Sequence, residues 1–131
     1  MVFEPSAMGS LEYDVWKLLR EAYPNPVYNV VKNTGREQRW LPDFEVKKGQ
    51  DALFALEVKD ISSAKASTFD SQMKRAFAIL ALYYVREKRP TPFLVLPDTL
   101  HVPKDYEEIF LEINCPIIRK KDVARLKEDW N

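Results

Sequence analysis

Residues 52–59 read Ala-Leu-Phe-Ala-Leu-Glu-Val-Lys, an apolar run that closes with a charged pair. Alternation along an extended strand places Glu57 and Lys59 on the same face. Because the residues before them are apolar on both faces, the strand is predicted to lie in the centre of a sheet that is covered on both sides. In open α/β sheets, ligands bind in the crevice outside such strand ends, so a functional site is expected there.

The segments before this strand read as two further strands. Residues 27–31 and 39–46 are predicted to be extended, and short turns separate the three segments. Three strands joined by short turns form an antiparallel meander. This arrangement places Asp43 beside the strand that carries Glu57.

Pro42 precedes this aspartate directly. Proline cannot donate to a sheet ladder, so Pro42 is expected to bend or start its strand and to turn Asp43 toward the cleft. Glu45, two residues later, shares the face of Asp43 in a regular strand and is the main competitor for its role.

A helix is predicted ahead of the meander. Residues 1–9 read as a lead-in, Ser10 is the expected N-cap, and apolar residues then recur at helical spacing until the helix stops before Pro24. Glu12 falls in the first turn, where an acidic side chain is favoured by the helix dipole alone.

A second helix is predicted after a loop over residues 60–70. We expect Thr68 or Asp70 to cap it, and its residues 76–85 are apolar on nearly every side, which predicts burial against the sheet. Gln72 is then expected in its first turn. Lys65 in the loop, together with Lys74 and Arg75 early in the helix, could steer a phosphate backbone toward the cleft, or form part of a solvated surface.

The remaining segments complete an α/β fold. A strand at residues 93–96 that is reached through a helix implies a parallel, right-handed crossover in the same sheet. Further elements are expected at residues 104–113 (helix), 116–118 (strand) and 121–130 (helix). We therefore expect residues 1–131 to form a single domain, with a mixed central β-sheet, an antiparallel meander plus a parallel strand, flanked by helices.

Composition limits the functional classes. The chain has 131 residues, of which 46% are hydrophobic, enough for one sizeable core. Acidic and basic residues number 20 each, so the net charge is zero. Phosphate affinity comes from clustered lysine and arginine, so this balance does not favour nucleic-acid binding by itself. Local basic clusters such as Lys32 with Arg36 and Arg39 can serve that purpose, but a solvated surface explains each of them equally well.

The single cysteine, Cys115, cannot form an internal disulfide and indicates a reducing compartment. It also excludes a four-cysteine iron–sulfur cluster. The only histidine, His101, has no second candidate ligand near it for zinc. No stretch approaches the length of a membrane span, and no signal pattern opens the chain. The protein is expected to be intracellular, cytoplasmic and soluble, with no membrane partner.

The pattern Pro42-Asp43 followed by Glu57-Val58-Lys59 resembles the motif of the PD-(D/E)XK nuclease superfamily, whose core is the restriction-endonuclease-like fold. The resemblance implies that Asp43 and Glu57 ligate a metal ion, Mg²⁺ or Mn²⁺. It also implies that the Val58 backbone carbonyl faces this ion. Lys59 would then position and activate the attacking water.

Two further positions extend the resemblance. Glu12 follows Gly9, where many members keep a glutamate that joins the metal site. Gln72 lies thirteen residues after Lys59, where archaeal Holliday-junction resolvases carry a glutamine near the active site. The resemblance covers about residues 9–96, and no motif is recognised beyond residue 97.

These observations lead to one main hypothesis and two alternatives. The main hypothesis is a metal-dependent endonuclease that hydrolyses phosphodiester bonds in branched or junction DNA, with a restriction-like or repair-associated nuclease and an RNA substrate left open. It would act as a homodimer, because two strands must be cut. The first alternative is a catalytically silent nucleic-acid-binding or assembly module on the same fold. The second is an accidental match, which predicts that Asp43 and Glu57 lie too far apart to share an ion.

Overall fold

The computed structural model describes residues 8–33, 40–61 and 66–126, and in this part of the chain five strands form one mixed sheet with helices on both faces. The elements in chain order are α1 (Ser10–Ala22), β1 (Tyr28–Lys32), β2 (Phe44–Lys48), β3 (Asp51–Val58), α2 (Ala66–Glu87), β4 (Thr91–Leu96), α3 (Lys104–Leu111), β5 (Ile117–Arg119) and a 3-10 helix (Lys120–Arg125).

The strands lie in the sheet in the same order as in the chain, β1-β2-β3-β4-β5. The first three form an antiparallel meander, and β3, β4 and β5 are parallel. The predicted meander and parallel crossover are therefore confirmed. The strand that carries Glu57 is the central one of the sheet, as its apolar sequence predicted.

A tight turn joins β2 to β3, and an irregularity in the pairing follows it. Gly49 in the turn has a φ of 65°, which glycine adopts without steric cost. Beyond the turn, Lys47 pairs with Ala52, whereas Val46 pairs with Phe54, so β3 contains one extra residue, Leu53. This extra residue is a β-bulge between the turn and the end of the hairpin.

Each face of the sheet has its own apolar core. The core against α1 and the 3-10 helix includes Val15, Leu19, Phe54, Phe93 and Val123. The core against α2 and α3 includes Met73, Ala76, Leu80, Leu94 and Phe110. Adjacent residues of β4 enter opposite cores, as the period of two requires. Each fully buried leucine or phenylalanine contributes about 1.5–3 kcal/mol to folding.

The predicted start of α1 is wrong by one residue. Gly9 is the N-cap, with an extended backbone, and Ser10 is the first helical residue. Glycine is an accepted N-cap because it takes the required backbone angles freely. The helix ends at Ala22, before Pro24, as predicted.

The predicted span of β2, residues 39–46, is also corrected. The strand begins at Phe44, after Pro42, which has no N–H to give to the ladder, and it continues to Lys48. Asp43 therefore lies just outside the strand. Residues 34–39, including the predicted start of the strand, lie outside the described residues.

The start of α2 differs from both predicted caps. The helix begins at Ala66, so Gln72 lies in its second turn and not in its first. Alanine has the highest helix propensity, which favours this earlier start. Asp70 does not cap the helix: its carboxylate accepts a hydrogen bond from the Tyr106 hydroxyl of α3.

The predicted burial of α2 against the sheet is confirmed, but only for one face of the helix. Met73, Ala76 and Leu80 are fully buried, but Val85 is 64% exposed and Ala78 is exposed too. The reason is that the sheet and α3 cover only one face of this helix. Apolar composition indicated a buried helix, but it did not indicate which face was covered.

The last elements lie close to their predicted positions, with a shorter α3 and with β5 shifted by one residue. α3 ends at Leu111, β5 covers Ile117–Arg119, and the expected helix over residues 121–130 is described only as the 3-10 helix and Leu126. The rest of that prediction lies outside the described residues. Of the helices in the described ranges, none has the length and apolar character needed to cross a membrane.

Candidate functional site

The two predicted carboxylates meet at the carboxyl end of β3. The Asp43 backbone N–H donates to Glu57 Oε1 at 3.1 Å, and the Val58 N–H donates to Asp43 Oδ2 at 2.9 Å. These two hydrogen bonds fix Asp43 against the central strand. The accidental-match alternative predicted a wide separation, whereas the structure brings the two residues into hydrogen-bond contact.

Lys59 completes the predicted constellation. Its Nζ lies 3.4 Å from Glu57 Oε2, and its backbone N–H donates to the Val95 carbonyl of β4 at 3.0 Å. The strand pairing of β3 with β4 thus continues past Val58 and holds the lysine in place. The Lys59 side chain is 17% exposed, so part of it is accessible to solvent.

Glu57 is a buried carboxyl with an altered proton affinity. Burial, then the nearby charge of Asp43, raises the pKa of Glu57, and Lys59 lowers it. The resulting pKa is about 7, against an ordinary value of 4.5. Near neutral pH, both the protonated and the charged form of Glu57 are therefore present.

Lys32, at the end of β1, is a member of the site that the sequence interpretation placed only in a basic cluster. Its Nζ lies 2.6 Å from Glu12 Oε2 and 3.4 Å from Asp43 Oδ1. Burial lowers the pKa of the Lys32 ammonium, but Asp43 and Glu12 outweigh this effect and hold that pKa above its ordinary value. The sequence contains one signal for this role of Lys32. Lys32 directly follows the extended segment predicted at residues 27–31, and Lys59 has the same position directly after the end of β3.

Glu12 reaches the site only through this lysine. It lies in the first turn of α1, as predicted, and its carboxylate pairs with Lys32. Among the described residues, no hydrogen bond joins Glu12 to Asp43 or Glu57. The expectation that Glu12 ligates a metal beside Asp43 therefore stays a prediction.

Glu45 does not share the surroundings of Asp43, contrary to the expectation from strand alternation. Glu45 Oε1 accepts from Asn33 Nδ2 at 3.2 Å, and Glu45 Oε2 accepts from the Tyr83 hydroxyl of α2 at 2.9 Å. Asp43 lies outside β2, so the period of two does not relate the two carboxylates. Glu45 is engaged with α2 and is no longer a competitor for the role of Asp43.

The remaining predicted residues lie on α2. Gln72 is half-buried, and in the described part of the chain it makes no hydrogen bond to Asp43, Glu57 or Lys59. Lys74 and Arg75 are exposed, and neither forms an ion pair with another described residue. Lys74 lies beside α3, at a cavity of about 430 Å³ that it lines with Met73, Phe77, Tyr106 and other residues. Lys65 lies outside the described residues.

The side chains that meet at this site can be compared with the ligands that a magnesium ion requires. No group of three or more His, Cys, Asp or Glu side chains is placed to hold a metal within residues 8–33, 40–61 and 66–126. Magnesium keeps several waters and needs only one or two carboxylates. The adjacent Asp43 and Glu57 supply this number of hard oxygen ligands, so the pair fits Mg²⁺ or Mn²⁺. The role of the Val58 carbonyl stays a prediction.

Compared with known proteins, the chain matches no protein-family model, no curated protein and no solved structure. The resemblance to the PD-(D/E)XK superfamily therefore stays a prediction from the motif. The architecture that the structure does show is an α/β fold with a five-stranded mixed sheet flanked by helices.

Proposed function

We propose that this protein is a metal-dependent endonuclease that hydrolyses phosphodiester bonds in DNA on a restriction-endonuclease-like core. One observation carries the proposal: Asp43 and Glu57 are joined by a hydrogen bond at the end of the central strand, with the Lys59 ammonium 3.4 Å from Glu57. Two carboxylates and a lysine in one place are the side chains that metal-assisted phosphodiester hydrolysis requires.

Asp43 and Glu57 would hold Mg²⁺ or Mn²⁺, which, when bound, lowers the pKa of a water molecule and polarises the scissile phosphate. The protein's own groups prepare this site. The Val58 N–H orients the Asp43 carboxylate, and the Asp43 N–H orients the Glu57 carboxyl. Lys59 orients the attacking water and offsets the negative charge that accumulates at the phosphate in the transition state.

Substrate binding draws on exposed basic groups of α2. Lys74 and Arg75 are exposed in the third turn of α2, without ion-pair partners among the described residues, so their charges are available for DNA phosphates. A chain of zero net charge relies on such local groups. We propose that the substrate is a branched or junction DNA, cut by a homodimer whose two sites act on two strands.

The test is cleavage of labelled single-stranded, duplex, flap and four-way-junction DNA with Mg²⁺ or Mn²⁺. The Lys59→Ala variant is expected to lose cleavage, and so is the parent in the presence of a chelator. The matched control is Lys48→Ala, which removes an exposed lysine at the turn end of β2. Metal-dependent cutting that Lys59→Ala retains would refute the proposed role of the site.

A second candidate function is a catalytically silent nucleic-acid-binding or assembly module. One observation favours it: the Lys32 ammonium already pairs with both Glu12 and Asp43, so the protein supplies a cation of its own to these carboxylates. A Mn²⁺ titration distinguishes the two functions. The endonuclease requires binding that Asp43→Asn weakens, and the silent module requires none.

A further inference from the structure

The ammonium group of Lys32 bridges carboxylates from two different parts of the fold. Glu12 belongs to α1, and Asp43 precedes β2. The lysine Nζ lies 2.6 Å from an oxygen of the first and 3.4 Å from an oxygen of the second. A cation between two carboxylates has the same electrostatic role as a metal ion at that place.

Burial makes this bridge stronger than an ordinary surface pair. The Lys32 side chain is 10% exposed, and the two carboxylate side chains are 23% and 24% exposed. Charges that are shielded from water interact more strongly and are less screened by salt. By contrast, the pair between Lys120 and Asp14, at 3.6 Å, has side chains that are 37% and 50% exposed.

A metal ion at Asp43 would lie close to the Lys32 ammonium, and the two positive charges would repel each other. Lysine has a flexible four-carbon stem, so its ammonium can withdraw from Asp43 while it keeps its shorter contact with Glu12. Withdrawal still requires the loss of the Asp43 contact. The contact therefore opposes metal binding.

We infer that Lys32 is a built-in competitor of the metal ion at Asp43, which sets the metal affinity of the site and keeps Glu12 from acting as a ligand. This inference rests on the proposed function, because it takes Asp43 to be a metal ligand. It assigns Lys32 a positioning role: the lysine holds the site together without a metal and yields when the metal binds.

The test is a calorimetric Mn²⁺ titration of the full chain and its variants. Lys32→Met and Lys32→Gln both remove the positive charge. Lys32→Gln keeps a hydrogen-bond donor, so it serves as the test variant if Lys32→Met does not fold. Both are expected to bind Mn²⁺ about tenfold more tightly than the parent, since one charge contact near an ion is readily worth that factor. Lys32→Arg keeps the charge and is expected to bind as the parent does.

Lys120→Met is the matched control, because it removes a lysine from an exposed ion pair with α1. It is expected to leave the Mn²⁺ affinity unchanged. Circular dichroism establishes that each variant is folded. Equal or weaker Mn²⁺ binding by a folded neutral variant at residue 32 would overturn the inference.

The outcome can be separated from that of the proposed function. Tighter Mn²⁺ binding without any DNA cleavage would support the role of Lys32 and refute the nuclease. Cleavage that depends on Lys59, together with an unchanged Mn²⁺ affinity in the neutral variants, would support the nuclease and refute the role of Lys32. Absence of Mn²⁺ binding in parent and variants would overturn both.

Discussion

Two polar networks lie next to each other at the end of the meander, and they use their carboxylates differently. The charged network consists of Glu12, Lys32, Asp43, Glu57 and Lys59, and the Glu45 network consists of Asn33, Glu45 and Tyr83. Two adjacent residues of the chain, Lys32 and Asn33, belong to different networks. The first connects the sheet to α1, and the second connects it to α2.

The difference lies in the donors. In the Glu45 network, neutral donors, an amide and a phenol, each occupy one oxygen of a single carboxylate. Burial, with the charge of Glu45 next, raises the pKa of Tyr83, so this hydroxyl stays a donor. In the charged network, Glu12 and Asp43 share the Lys32 ammonium, and Glu57 pairs with Lys59. Under the proposed function, a metal ion replaces an ammonium in the charged network, whereas the Glu45 network has only a structural role.

The largest expected effect is on the rate of DNA cleavage, which should fall for variants of the charged network and much less for a variant of the Glu45 network. Asp43→Asn, Glu57→Gln and Lys59→Ala each remove a group that acts on the metal or the water, and are expected to lower the cleavage rate by about 10³-fold or more. Glu45→Gln is expected to stay within about tenfold of the parent, because it alters only a structural contact. Rates are measured on the preferred DNA substrate at saturating Mg²⁺. An equal loss in Glu45→Gln would remove the distinction between the networks.

The pH dependence of stability sharpens the comparison. In the folded protein the pKa of Glu57 is about 7, against 4.5 for an ordinary glutamate. Between these values the folded state holds a proton that the unfolded chain has lost, so the free energy of unfolding falls as pH rises from about 4.5 to about 7. The contribution of this group is at most about 3 kcal/mol.

Urea unfolding at several pH values measures this contribution. Glu57→Gln is expected to flatten the fall, because the amide does not titrate. The exposed Glu108→Gln variant is expected to keep the slope of the parent. The opposite result would be a free energy of unfolding that rises from about pH 4.5 to about pH 7 in the parent and stays constant in Glu57→Gln. It would show that Glu57 is charged in the folded protein over this whole pH range.

The role of the Glu45 network is best tested by measuring the free energy of unfolding. Tyr83→Phe removes the hydroxyl that donates to Glu45 Oε2 and leaves that oxygen without its partner. The cost is expected to be about 1–2 kcal/mol of unfolding free energy, measured in urea. Tyr84→Phe, at the neighbouring half-buried position, is the control and should change little. Unchanged stability in Tyr83→Phe would mean that water replaces the phenol.

The smallest effect is expected at the surface. Lys120→Met breaks the exposed pair with Asp14 and should change the free energy of unfolding by less than about 1 kcal/mol. Lys32→Met breaks a pair that is shielded from water and is expected to cost more in the absence of metal. Thermal unfolding with and without Mn²⁺ compares the two variants, and similar costs would mean that burial adds nothing to the Lys32 bridge.

Much of the sheet could be predicted from short patterns. The apolar run before Glu57 predicted a central strand, and short turns predicted the meander. These features are local, because a period of two and a turn are readable within a few residues. The adjacency of Asp43 and Glu57 then followed from the pairing of neighbouring strands.

The residues that were misjudged depend on contacts between distant segments. Lys32 meets Glu12 only after α1 folds onto the sheet, and no pattern within β1 predicts that contact. The expectation that Glu45 shares the face of Asp43 requires both residues to lie in one strand, whereas β2 begins at Phe44. The covered face of α2 depends on α3, which lies far along the chain. Sequence periodicity describes an element well and its neighbours poorly.

The bulge at Leu53 has a consequence for how the carboxylate pair is inherited or engineered. Past the bulge, Phe44 pairs with Leu56, so Asp43 comes opposite Glu57. If Leu53 were kept but paired regularly, without the bulge, each later partner would move by one position, and Asp43 would come opposite Leu56. The extra residue thus sets which side chains meet across the hairpin, and a regular hairpin of the same sequence would separate the two carboxylates without changing either of them.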